Sequence, residues 1–122
     1  MTNLRNSQLR PKDIRTLLSI KERNITWDLG FEEGNEWIHA SVQDDKYKNR
    51  LIAWLESKKI DKECEVLLLD GYCNIKQNIT WGRLIDNVSG YFEEHYIKVV
   101  DLDATWVLEY TELGSSRFGY YE

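Results

Sequence analysis

The chain has 122 residues, 42% of them hydrophobic and 30% charged, with a formal net charge of -5. That length suits one domain, residues 1–122, burying roughly two-thirds of its unfolded surface, and that balance excludes a disordered chain. The longest apolar run, Val66-Leu67-Leu68-Leu69, is far too short to cross a membrane, and a single proline with no low-complexity tract leaves no linker.

The opening stretch, MTNLRNSQLRPKD, lacks the apolar segment of a secretory signal, so a cytoplasmic protein is expected, with Cys64 and Cys73 as reduced thiols. Residues 1–10 read as a flexible basic N-terminus. Pro11 suits a first helical turn, and Ile14, Leu17, Leu18 and Lys21 then share one face, which predicts a helix at about 11–22. Ile25, Trp27, Leu29 and Phe31 alternate with Thr26, Asp28 and Gly30, the period of a half-buried strand. Turn residues at EEGN and a second extended stretch, EWIHASV, predict a hairpin at about 24–42.

Asp44 and Asp45 are placed to cap a helix carrying the stripe Tyr47, Leu51, Ile52 and Leu55, with Lys58 and Lys59 at its negative end. CEVLLLD reads as a strand buried on both faces and ended by Gly71. The tetrapeptide NITW occurs at Asn24–Trp27 and at Asn78–Trp81. The second copy precedes Leu84, Ile85, Val88, Tyr91 and Phe92 at helical spacing, with Thr80 positioned as the cap. One copy is therefore expected to enter a strand and the other to start a helix, which argues against a duplication. Three strands close the chain, with turn signals at Asp101 to Asp103 and at Gly114-Ser115-Ser116. The order α-β-β-α-β-α-β-β-β predicts an α+β domain: a mostly antiparallel or mixed sheet with about three helices on one face.

Charge is segregated. Residues 1–23 hold six basic and two acidic side chains, and the remaining 99 hold ten basic and nineteen acidic ones. From Glu93 onward, Glu93, Glu94, Asp101, Asp103, Glu109, Glu112 and Glu122 face only Lys98 and Arg117, interleaved with Tyr96, Trp106, Tyr110, Phe118, Tyr120 and Tyr121. Tyrosine and tryptophan anchor interfaces, and carboxylates steer basic partners. Asp101, Asp103, Glu109 and Glu112 are thus the candidate partner-binding carboxylates, with Tyr110 and Tyr120 as candidate anchors. Alternation sends Glu109 and Tyr110 to opposite faces of one strand.

Catalytic signals are sparse. His39 and His95 form no close ligand pair with each other or with the cysteines, so no metal or cofactor is expected. Glu63 and Glu65 beside Cys64 disfavour a thiolate, and both cysteines read as buried filler. The three N-x-S/T sequons, at Asn24, Asn78 and Asn87, read as chance matches. The expectation is a non-enzymatic, acidic, protein-binding inhibitor of a positively charged protein such as a nuclease toxin. Immunity proteins of bacterial toxin systems share this profile in type only, with no motif in common. The alternatives are a regulatory or nucleic-acid-associated module using the basic N-terminal helix, although the acidic body disfavours nucleic acid, and a small hydrolase using Asp101, Asp103 and His95. Composition and spacing leave the oligomeric state open.

Overall fold

The structure is a computed structural model that describes residues 4, 10–28, 36–92 and 96–121. Four helices and seven strands are found among the described residues: α1 (Pro11–Lys21), β1 (Ile25–Trp27), β2 (Ile38–His39), α2 (Asp45–Glu56), β3 (Glu65–Leu69), β4 (Ile75–Thr80), α3 (Trp81–Asp86), α4 (Val88–Tyr91), β5 (Tyr96–Asp101), β6 (Trp106–Thr111) and β7 (Ser115–Tyr121). All strands join one antiparallel sheet in the order β1-β7-β6-β5-β3-β4, with β2 also pairing β7. The α+β class expected from the sequence is the class observed.

Successive apolar residues on the central strands place one side chain on each face of the sheet. Val66, Leu68, Val99 and Leu108 face a large core closed by Leu51, Trp54 and Leu55 of α2, Trp81, Leu84 and Ile85 of α3, and Val88 of α4. Leu67, Leu69, Val100 and Val107 face a second, smaller core closed by Ile14 and Leu18 of α1. The helices therefore cover both faces, not one as expected. The doubly apolar strands require this, because a single helical layer would leave half of those side chains in water.

The hairpin expected at 24–42 does not form. β1 and β2 both pair antiparallel to β7, with Ile25 opposite Tyr121 and Ile38 opposite Ser116. They lie end to end as an interrupted edge strand, and the intervening 29–35 fall outside the described residues, as do Leu29 and Phe31 of the expected strand. Asp28 N–H continues the ladder to the Phe118 carbonyl, and Ala40 N–H reaches the Gly114 carbonyl. β7 offers its edge to both segments, and pairing along it takes the place of pairing with each other.

Strand β4 was not foreseen. Its sequence, IKQNIT, lacks alternation, and only Ile79 reaches the core, opposite Val66. This edge strand is held by its backbone ladder to β3, for which side-chain pattern carries no signal. The second NITW consequently splits: Asn78, Ile79 and Thr80 end a strand, and the Thr80 hydroxyl then caps α3 by accepting the Arg83 N–H at 3.3 Å. The helix expected beyond it is broken into α3 and α4 at Asn87, whose φ of -136° leaves the helical region.

Gly119 sits where β7 meets β1. A Cβ there would stand 2.8 Å from the Trp27 ring and 2.9 Å from both the Ile25 side chain and the Thr26 carbonyl. Gly119→Ala is expected to lower unfolding stability by about 1–3 kcal/mol, an overpacking cost. Gly90→Ala meets nothing within 4 Å inside α4, so urea unfolding should show it unchanged or slightly more stable.

Candidate functional site

The six residues singled out from the sequence do not form one surface. Asp101 ends β5 and is buried; its carboxylate accepts the Thr105 N–H at 2.7 Å, the Thr105 hydroxyl at 2.5 Å and the Trp106 N–H at 3.2 Å. It holds the β5–β6 turn. Asp103 is exposed in that turn and lines a shallow pocket with Cys64, Glu65, Asp101 and Leu102. Tyr120 is 44% exposed at the same end of the sheet, packed edge-on against Phe118. Its register partner is Trp106, which is buried.

Glu109 and Tyr110 point to opposite faces, as alternation requires. Tyr110 is only 2% exposed and stacks on Phe92 at 4.6 Å between ring centroids, so it is core. Glu109 is buried in a charged network on the face that α1 covers only in part. It pairs with Arg117 at 2.5 Å and accepts the Tyr96 hydroxyl. Burial and the adjacent Glu109 carboxylate push the Tyr96 phenol well up. The Arg117 guanidinium lies 3.7 Å from the Trp27 ring centroid and 4.4 Å from that of Trp37, with Glu36 3.0 Å away. Lys98 of β5 pairs with Glu22 just past α1. These groups satisfy one another, and removing either partner of the partly buried Glu109–Arg117 pair leaves the other charge uncompensated.

Glu112 stands at the other end of the sheet, in the β6–β7 turn beside Leu113, which is 84% exposed. The pairings Leu69 with Lys98 and Tyr96 with Thr111 bring the β3–β4 turn out at this same end. The nearest strands of the two hairpins, β6 and β3, lie two strand spacings apart, roughly 10 Å, with β5 between them. The β3–β4 turn presents Tyr72, 75% exposed, followed by Ile75 at 46%. The Gln43 side-chain amide donates to the Glu112 carbonyl, which draws the start of α2, with Asp44 and Asp45 exposed, toward the β6–β7 turn. Asp44 caps α2 by accepting the Tyr47 N–H at 3.0 Å. Exposed apolar tips thus stand among the carboxylates of Asp44, Asp45, Asp70 and Glu112. Composition had marked Glu112 alone for this surface. Tyr72 and Leu113 each sit beside a turn glycine, Gly71 and Gly114, and that is the signal a sequence reading had for them.

Glu93, Glu94 and His95 lie outside the described residues. His39 is exposed on β2, beside the Tyr47 ring. Among the described residues, no three His, Cys, Asp or Glu side chains gather as a metal-ligand group. Cys73 is buried, and burial pushes its thiol up, whereas Cys64 is only partly buried. No described helix is long and apolar enough to cross a membrane. Searches of family models, curated proteins and solved structures find no match to this chain.

The β3–β4 turn is held by Asp70, whose carboxylate accepts the Tyr72 N–H at 2.8 Å, the Asn74 N–H at 2.9 Å and the Asn74 side-chain amide at 3.0 Å. Partial desolvation pushes the Asp70 carboxyl up, but the bonds from Asn74 and Tyr72, with Lys76 nearby, outweigh it and hold the group below its ordinary value of 3.8. A carboxyl depressed in the folded state stabilises fully above its unfolded value, and that contribution is lost as pH falls through the folded one. Asp70→Asn should therefore be less stable than the parent at neutral pH, with the gap closing below about pH 4. Urea unfolding of both chains at pH 7, 5 and 3 measures this, and a gap independent of pH counts against it.

Proposed function

We propose that this chain is an acidic protein-binding domain that neutralises a positively charged protein. A basic toxin such as a nuclease is the partner class that best fits, in the manner of an immunity protein. The observation that carries the reading is the sheet end where Leu113 and Tyr72 stand exposed among Asp44, Asp45, Asp70 and Glu112. Exposed large apolar side chains on short turns bury much area at low entropic cost, which is the chemistry of an interface hot spot. Carboxylates around them raise the rate of encounter with a cationic partner and mimic the phosphates its groove would hold. The Asp101, Asp103 and Tyr120 end contributes charge but presents a single ring at 44% exposure, against 75% for Tyr72 and 84% for Leu113. Among the candidates named from the sequence, Glu112 is the one this reading retains as a contact.

The experiment is capture of a partner from native lysate at low salt, followed by purification of both proteins and kinetic binding measurements. Leu113→Asp is expected to raise the dissociation rate by about tenfold or more, the scale of a hot-spot truncation. Glu112→Lys together with Asp45→Lys should mainly slow association and flatten its salt dependence. Asp103→Lys, at the opposite end, should leave both rates near those of the parent. The partner's own activity should be suppressed at stoichiometric mixing. Binding that is insensitive to Leu113→Asp and sensitive to Asp103→Lys moves the interface to the other end.

A further inference from the structure

We propose that α1 is a hinged cover over the smaller core, which opens and closes while the sheet and α2, α3 and α4 stay folded. Its hold on the sheet is narrow. Of its 11 residues only Ile14 and Leu18 are buried, with Leu17 packed at the margin. The larger core, by contrast, is closed by three helices that bury Trp54 and Trp81. At the end of α1, the Glu22 carboxylate pairs with Lys98, and the Lys21 ammonium lies 6.0 Å from the Tyr121 ring centroid. Leu4, in the same core, is tied by its N–H to the Leu102 carbonyl at 2.7 Å. Glu22–Asn24 form a single 3-10 turn with no buried residue, and Ile25 then joins β7 opposite Tyr121. That turn is the hinge: α1 can leave the sheet about it while β1 keeps its ladder. Elements with few buried apolar contacts are the ones that open locally.

Closure buries a group that it leaves unsatisfied. Tyr121, at the end of β7, is 9% exposed; its hydroxyl is sealed from solvent, and no group among the described residues pairs with it. Burial, with the Glu22 and Glu109 carboxylates nearby, pushes its phenol up, so the hydroxyl stays protonated, a donor without an acceptor. A buried hydroxyl without a partner disfavours the state that buries it. Lys21 and Glu22 border this residue from the end of α1, so lifting the helix brings water to the hydroxyl. The burial of Ile14 and Leu18 and the Glu22–Lys98 pair favour the closed state, and the Tyr121 hydroxyl opposes it. Cys73 reports which state holds. It reaches the same core from the β3–β4 turn and is 8% exposed, with its thiol pushed up by burial. The closed chain thus shields it from a thiol reagent both by access and by protonation.

The test follows labelling of Cys73 by a thiol reagent in the full chain carrying Cys64→Ser, together with native-state amide exchange, across low urea concentrations. Cys73 and the α1 amides should share one opening, with a urea slope well below that of global unfolding. Amides of α2, β5 and β6 should exchange only through global unfolding. Tyr121→Phe keeps the ring and removes the hydroxyl, and should slow Cys73 labelling by about threefold or more. Lys98→Met frees Glu22 and should speed labelling by about the same factor. Labelling with the urea slope of global unfolding overturns the proposal, because α1 then leaves only with the rest of the fold. Labelling that ignores both substitutions also overturns it, because the β3–β4 turn then frays by itself.

Discussion

Every central strand of this sheet carries apolar side chains on both faces, and water must be kept from both. Val66 to Leu69, Val99-Val100 and Val107-Leu108 leave no polar face to turn outward. An antiparallel sheet more often has one wet side. Here α2, α3 and α4 close one face, and α1 with Leu4 closes the other. The Leu4 N–H donates to the Leu102 carbonyl at 2.7 Å, tying that residue to the β5–β6 turn. The three-layer arrangement follows from the composition of these strands more than from the helices themselves.

The layer made by α1 is incomplete, and the sheet changes character where it ends. Beneath the helix lie Leu67, Leu69, Val100 and Val107. Beyond it, the same face carries Tyr96, Lys98, Glu109 and Arg117: Lys98 pairs with Glu22, Arg117 pairs with Glu109, and the Tyr96 hydroxyl donates to the Glu109 carboxylate. Glu22 reaches in from the end of α1, and Glu36 from the segment before β2. Trp27 and Trp37 supply the apolar cover that a helix supplies elsewhere. Two of the chain's five tryptophans are thus structural: Trp27 and Trp37 shield a guanidinium where α1 does not reach.

The turns at the two ends of the sheet divide the labour differently. At one end, Asp101 spends its carboxylate on the β5–β6 turn, and Ala104 adopts a left-handed φ of +52° to complete it. At the other, Asp70 organises the β3–β4 turn while Tyr72 and Leu113 remain in solvent. The same residue type does the same backbone work at both ends, but among the described residues the first end exposes Tyr120 at 44%, whereas the other exposes Tyr72 at 75% and Leu113 at 84%. That asymmetry separates the candidate interface from an ordinary acidic surface.

Several elements were legible in the residues alone. Pro11 with Ile14 and Leu18, Asp44 before α2, Thr80 before α3, the doubly apolar run at Val66 and the three final strands are set by local periodicity and capping, which act over a few residues and leave their mark there. The opposite facing of Glu109 and Tyr110 was fixed by the two-residue period of a strand. What the residues did not carry was partnership. β1 and β2 take β7 as a neighbour in place of each other, β4 exists because β3 offers it a ladder, and Arg117 finds its anions in Glu109 and Glu36. The buried Asp101, the core position of Tyr110 and the gathering of Tyr72 and Leu113 at one sheet end likewise depend on pairings across dozens of residues. Local pattern determines which face a side chain takes on its own element, and only the assembled sheet decides which elements meet and which turns stand together in solvent.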